Sequence, residues 1–522
     1  MPLALSIPPD RAVPPKDLEL RPRHVKAWLE SLPMQQAFEA TRQLTAHLGA
    51  ANRARFDLEA RLQILEIYRP FAATLLDEMD AIYGKSTLPL GPRAREALTL
   101  ARDFAAELAL GYKIAAVEKS GKLFGGKKQL PVLLLRAAEY VFVRLKASYK
   151  SYTPAPPGTW SDLHQLYLLA DQEGLAREAA DPETKATVAD IYCEALMLSL
   201  TDPYRLPQGE TDRVLAQLRG YRGLPALGQA RPATPSGGHF LVPCDLDRPP
   251  KPALSANDDT GGPNWRLLDA NPVVEKILMK KRAMETGQVS ATLSKAMGPD
   301  GIALMAKLAT LWGDPPKRTA RRDPTKSTVA LCVGMKAVTH FVSLEPKLDL
   351  ATEDEMLRRG ITMPLFALPM DDASQPIPVF EWDVVNQSAG GIKVRRMGPT
   401  QQPIAVGEVV GIKFTGKAHW TIGVVRWLTI FDEGGMEFGL QFLAAMARMV
   451  WVQPTITSSP QAKLGLLMGD APDQLDVLLT PINTFADLRE FELDEEGNVT
   501  CVRASGLMEK TGRFELFQVT PS

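Results

Sequence analysis

The hydrophobic period of this chain changes near Lys326, and that change constrains the fold more than any other feature. Before it, apolar residues recur at helical spacing; after it, they alternate. Leu58, Leu62 and Leu65 recur at i, i+4 and i+7, with Arg55, Glu59, Arg61 and Glu66 on other faces. Arg93 to Glu118 holds no proline and reads as one long helix. Trp160, Leu163, Leu166 and Leu169 form another stripe, and Val188, Ile191, Ala195 and Leu198 a third. Prolines 70, 89, 92, 131, 154, 156, 157 and 182 fall mostly between stripes, where helices end or kink. These features predict a helical bundle or array over 18–227, preceded by a disordered, proline-rich tail at 1–17.

Residues 228–264 hold five glycines and seven prolines and read as a linker or partly extended connection. A helical connector follows over 265–315, one helix opening at Asn271-Pro272 with asparagine as its cap. From Lys326, Val329, Leu331 and Val333 alternate, as do Ile392 and Val394, and Val410 and Ile412. Runs at 422–427, 437–442, 475–479, 499–502 and 514–519 continue the pattern, with a hairpin turn at Glu496-Gly497-Asn498. Short strands with glycine punctuation suggest a barrel or sandwich. The fold class is therefore multidomain α+β, with a β domain at 316–445 and a β-rich extension at 446–522.

Charge narrows the function. Lys and Arg number 60 against 61 Asp and Glu, which excludes binding to nucleic acid through overall charge. No apolar run reaches the roughly 20 residues that span a bilayer, and the four cysteines form no CxxC pair. A cytoplasmic protein with reduced thiols is expected. Enzyme motifs fail. Gly121 to Lys128 approaches a phosphate-binding loop but ends in lysine where Ser or Thr must bind magnesium, and a helical stretch precedes it. Six histidines are scattered without metal-ligand spacing. No catalytic residues, metal or cofactor are predicted.

One constellation remains. Lys317-Arg318-Thr319-Ala320-Arg321-Arg322 follows the helix breaker Gly313-Asp314-Pro315-Pro316. Asn386-Gln387-Ser388-Ala389-Gly390-Gly391 is a polar turn between two strand-like runs. Two arginines four apart can grip phosphate oxygens or the N7/O6 edge of guanine, and a guanidinium plane can stack on a base. Asn and Ser supply donors and acceptors, and Gly391 lets a ligand approach the backbone. Taken singly, a basic run after prolines is usually a solvated linker and an Asn-Ser-Gly turn is usually only a turn. In this order, at the edge of a β region, they are not independent.

The pair resembles the signature of the PilZ family of cyclic di-GMP receptors: RxxxR entering a small six-stranded barrel, then [D/N]xSxxG on its surface. Arg318 with Arg322, and Asn386, Ser388 and Gly391, match it. Ile422 to Trp427 and Glu437 to Phe442 resemble the closing strands of that barrel. The resemblance covers roughly 316–445 and leaves the helical region unrecognised. The long interval between the motifs suggests an insertion at about 345–378. The resemblance implies that Arg318 and Arg322 wrap the phosphates and guanines, and that Asn386, Ser388 and Gly391 contact a guanine, with Lys317 and Arg321 adding charge.

The expected function is a non-enzymatic receptor that binds cyclic di-GMP. It would relay the signal to a protein partner through the helical region or the insertion, in motility, adhesion or exopolysaccharide control. The alternative is a PilZ-like interaction scaffold that binds no nucleotide. No sequence-specific nucleic-acid partner is expected.

Overall fold

A computed structural model describes the chain apart from residues 1–4, 10, 121–128, 230–236, 254–261, 287–290, 316–322, 346–376, 399–401, 432–433, 457–461 and 470–474. The chain forms two compact units, Met1–Ser86 with Leu90–Lys317, and Thr87–Pro89 with Arg318–Ser522. The division falls between Lys317 and Arg318, inside the basic segment.

The first unit is helical, with α1 (Pro22–Ser31), α2 (Ala37–Arg53), α3 (Leu58–Tyr83), α4 (Pro92–Ser120), α5 (Leu130–Lys150), α6 (Thr159–Gln172), α7 (Val188–Ser199) and α8 (Glu210–Arg219). Pro92 and Pro131 sit in first turns, where a missing N–H costs nothing. Pro70 does not end a helix: it lies inside α3. Tyr68, Ala72, Leu75 and Met79 are fully buried on either side of it. Burial of that stripe outweighs the helix-interior penalty of about 3 kcal/mol. The segment 1–17, expected to be a disordered tail, is held at Leu5 and Ala12. Ala12 exchanges backbone hydrogen bonds with Arg53 and Arg55 at 2.9 and 2.7 Å, and Leu5 is buried.

In and beside the stretch read as a linker, β1 (Ala226–Gln229), β2 (His239–Val242), β3 (Lys251–Pro252) and β4 (Arg266–Asp269), the last inside the expected helical connector, form a small sheet in the order β1-β4-β2-β3. Asp247 in this region caps α6, accepting from the N–H groups of Gly158, Trp160 and Ser161 at 2.6, 2.9 and 3.0 Å. Helices α9 (Asn271–Glu285) and α10 (Ala291–Gly313) follow. Asn271 is the first helical residue, not the cap; the Asp269 carboxylate accepts from its backbone N–H at 2.9 Å.

His164 joins α6 to its surroundings, bonding the Tyr192 hydroxyl at 2.6 Å and the Arg248 carbonyl at 2.9 Å. Burial pushes its pKa down to about 4, against the opposing fields of Asp247 and Asp245. Because the folded value lies below the unfolded value of about 6.5, protonation favours the unfolded chain. The stability His164 contributes is complete above about pH 6.5 and is lost as pH falls toward 4. The stability gap between wild type and His164→Gln in urea should therefore be wider at about pH 7 than at about pH 5. A gap independent of pH would refute the assignment.

The second unit holds two closed six-stranded antiparallel barrels. The first comprises β5 (Asp323–Val333), β6 (Phe380–Ser388), β7 (Gly391–Arg396), β8 (Val409–Phe414), β9 (Thr421–Ile430) and β10 (Met436–Ala444), in the order β10-β7-β6-β5-β8-β9. Trp382 and Phe438 are fully buried, ring centroids 4.8 Å apart and edge to face. The second comprises β11 (Met446–Pro454), β12 (Lys463–Gly469), β13 (Leu475–Pro481), β14 (Glu490–Glu495), β15 (Asn498–Lys510) and β16 (Phe514–Pro521), in the order β11-β12-β13-β16-β15-β14. Val450, Val452, Phe491, Leu493 and Phe517 form its own core. The expected β-rich extension is thus a complete barrel.

Helix α11 (Met335–Ser343) ties the barrels together. Its Val338 and Phe341 share one apolar cluster with Ile422 and Val424 of the first barrel and Leu466, Leu479 and Leu516 of the second. Most of the expected insertion at 345–378 lies outside the described residues.

Candidate ligand-binding face of the first barrel

The polar motif is a tight hairpin. Asn386, Gln387 and Ser388 are the last residues of β6, Ala389 and Gly390 form the turn, and Gly391 opens β7. Only two residues of the sequence-predicted turn are outside strands. Ser388 pairs with Gly391, and its Oγ donates to the Gly391 carbonyl at 3.2 Å. A register shift between Val384 and Asn386 marks a bulge, which turns Asn386 to the same side as its partner Lys393.

Gly391 has a steric reason to be glycine. A Cβ there would stand 2.2 Å from the Leu440 carbonyl oxygen on β10. The sequence reading assigned this glycine to ligand approach; the structure gives it to close packing of β7 on β10. Gly390, its neighbour, faces open space.

Lys317, Arg318, Arg321 and Arg322 lie outside the described residues, as does the phosphate-loop-like 121–128 stretch. The chain's re-entry is described, however. Asp323, immediately after Arg322, pairs with Gln387, and Pro324 pairs with Asn386. The arginine segment therefore feeds into β5 directly beside the NxSxxG hairpin. About 60 residues of sequence separate the two motifs; the antiparallel register removes that separation.

Alternation places further groups on the hairpin's side of the sheet. Ile392 and Val394 are buried, so Lys393 and Arg395 face outward. Lys393 pairs with Gly439, and Gly439 with Trp427. A Cβ on Gly439 would lie 2.0 Å from Trp427 Nε1, so glycine is what lets the indole lie across β10. Lys393 Nζ stands 5.6 Å from the Trp427 ring centroid. The buried Glu437 carboxylate holds both cations, at 2.6 Å from Lys393 Nζ and 2.8 Å from Arg395 Nε. Trp427, Lys393 and Arg395 were not among the sequence candidates. Their signal was present in the outward positions of the strands, once the inward ones were known.

Asn386 Oδ1 is buried and has no hydrogen-bond partner among the described residues. A buried acceptor left unmade costs about 1–3 kcal/mol. A ligand N–H would recover it. The face thus offers an unmet acceptor, a serine hydroxyl, two outward cations and an indole.

Two family profiles match in tandem. One, for the N-terminal domain of the cyclic-di-GMP receptor FimW, covers residues 23–230. The other, for the middle PilZ domain of that receptor, covers 239–357 and 367–448. The middle of the chain thus carries a PilZ domain. Its PilZ profile begins at 239, well ahead of the 316 boundary read from sequence, and so takes in most of the small sheet and both connecting helices. The interruption at 358–366 falls inside the expected insertion. The match ends at 448, so the second barrel lies almost wholly beyond it. The cyclic-di-GMP receptor FimW of Pseudomonas aeruginosa (strain PAO1) is 25% identical over 550 residues, covering 95% of this chain and 90% of that protein.

Among the described residues, no helix is long and apolar enough to cross a membrane, and no group of three or more His, Cys, Asp or Glu could hold a metal ion.

Proposed function

We propose that this protein is a receptor for cyclic di-GMP and binds it on the outer face of the first barrel, between the arginine segment and the β6–β7 hairpin. The observation that carries this reading is the register: Asp323 and Pro324 stand opposite Gln387 and Asn386, so the residues that directly follow the arginine segment in sequence pair with the hairpin. The similarity to FimW, whose name describes a cyclic-di-GMP receptor, supports the ligand class. Arg318 and Arg322 supply forks for phosphate and guanine, with Lys317 and Arg321 adding charge. Asn386 Oδ1 accepts from the guanine edge, Ser388 contributes its hydroxyl, and Gly391 holds the hairpin against β10.

The relay to a protein partner is read from connectivity. The arginine segment joins β5 to α10, whose fully buried Trp312 donates from Nε1 to the Met197 carbonyl of α7 at 2.9 Å. A ligand that grips this segment acts on a stretch of chain continuous with an element anchored in the helical unit, which gives a ligand-dependent state for a partner to read.

Titration of the purified full chain with cyclic di-GMP by calorimetry tests the reading. Saturable binding is expected; none at tens of micromolar would favour the nucleotide-free scaffold instead. Asn386→Ala should weaken binding about tenfold, since one hydrogen bond to a buried group is lost. The same substitution should leave the unfolding midpoint unchanged or slightly raised, because it removes an unmet acceptor. Unchanged affinity would take Asn386 out of the site.

A further inference from the structure

Arg426 and Glu509 form a bidentate pair between the barrels, with guanidinium nitrogens at 2.5 and 2.7 Å from the two carboxylate oxygens. Both residues depend on strand irregularities. On β9 the register with β10 jumps from Trp427 opposite Gly439 to Val425 opposite Leu440, so Arg426 is the extra residue of a bulge. On β15 the register with β16 jumps from Leu507 opposite Phe517 to Glu509 opposite Leu516, leaving Met508 as the extra residue. Bulges re-aim side chains, and here two of them bring one cation and one anion together.

The guanidinium also reaches the hairpin's side of the first barrel. Arg426 Nε donates to Gln441 Oε1 at 2.7 Å. Gln441 is the register partner of Gly391, and Gly391 that of Ser388. With strands about 4.8 Å apart, Gln441 lies one strand beyond the hairpin's first β7 residue, and Arg426 on β9 lies one strand beyond Gln441. It is adjacent in sequence to Trp427. The pair is partly open, with side-chain exposures of 30% and 24%, so exchange of its partner is not blocked by burial.

We propose that Arg426 is a further phosphate-binding residue of the nucleotide face, held in reserve by Glu509 of the second barrel. This rests on the nucleotide reading above. A carboxylate and a phosphodiester present the same two-oxygen edge to an arginine fork. Bound phosphate therefore competes with Glu509 for one guanidinium. The second barrel then sets nucleotide affinity, and occupancy loosens its contact with the first.

Calorimetry of the full chain with cyclic di-GMP, with the unfolding midpoint recorded for each variant, tests this. Glu509→Gln and Glu509→Ala should each bind about fivefold more tightly, as one competing charge is removed. Arg426→Ala should weaken binding about threefold, and the double variant Arg426→Ala/Glu509→Gln should match it without the gain. Tighter binding that persists without Arg426, or Glu509 variants with unchanged or weaker binding, would overturn the proposal alone. Wild-type protein that binds no nucleotide would overturn the receptor reading and this proposal together.

Discussion

Arg318→Ala and Arg322→Ala are each expected to weaken cyclic di-GMP binding at least tenfold. On the proposed binding mode, each substitution removes charge-assisted hydrogen bonds worth about 1.5–3 kcal/mol, which corresponds to roughly ten- to 150-fold in affinity. The segment Lys317 to Lys326 carries five positive charges and one negative in a chain whose formal net charge is −1, so these arginines dominate the local field. Because both would act on one ligand, their effects should not add; the double variant should lose less than the product of the two. Raised salt should weaken wild-type binding more than that of either variant, since less charge is neutralised in the variants. Calorimetry at two ionic strengths measures all of this. Wild-type affinity in both single variants would remove the arginine segment from the site.

Gly391→Ala should lower the stability of the second unit by about 2–3 kcal/mol, whereas Gly390→Ala should be close to neutral. The two glycines are adjacent in sequence, and only one is crowded. A methyl at 391 would stand 2.2 Å from a backbone carbonyl of β10, a neighbour that cannot rotate away. A methyl at 390 meets nothing within 4 Å. If β7 and β10 separate to admit the methyl, the row Ser388, Gly391 and Gln441 opens, and nucleotide binding should fall in parallel. Urea unfolding followed by tryptophan fluorescence is suitable, since Trp382 lies in the barrel core. Equal stability for the two variants would show that the strands relax without cost.

Much of the candidate site was legible because its signals are local. The hairpin announces itself through Asn, Ser and two glycines between alternating runs, and the arginines through their spacing. The role of Gly391 was not local. Its neighbour is Leu440, about fifty residues on, and no property of the hairpin sequence marks that approach. Trp427 and Lys393 were hidden for a related reason: a residue's outward position acquires meaning only when adjacent strands are known.

The second barrel illustrates the same limit on a larger scale. Leu464 to Met468 and Val477 to Leu479 are nearly continuous apolar runs, which blurs the alternation expected of a strand with one wet face. The cause is that both faces are covered. Leu478 belongs to the barrel's own core, while Leu466 and Leu479 pack into the cluster shared with α11 and the first barrel. Pro70 is the converse case. A strong local signal against helix continuation lost to tertiary burial of the stripe around it.

The sequence by itself determined where the long helices give way to the barrel strands, which residues form the two motifs, and which ligand chemistry they suit, because period, turn chemistry and charge are carried by neighbouring residues. Only the tertiary structure decided that β5 enters beside the hairpin, that the extension closes into a second barrel, and that Arg426 meets Glu509. Those outcomes depend on register and bulges between distant strands, and pairing energy is spread over backbone groups that every residue type shares.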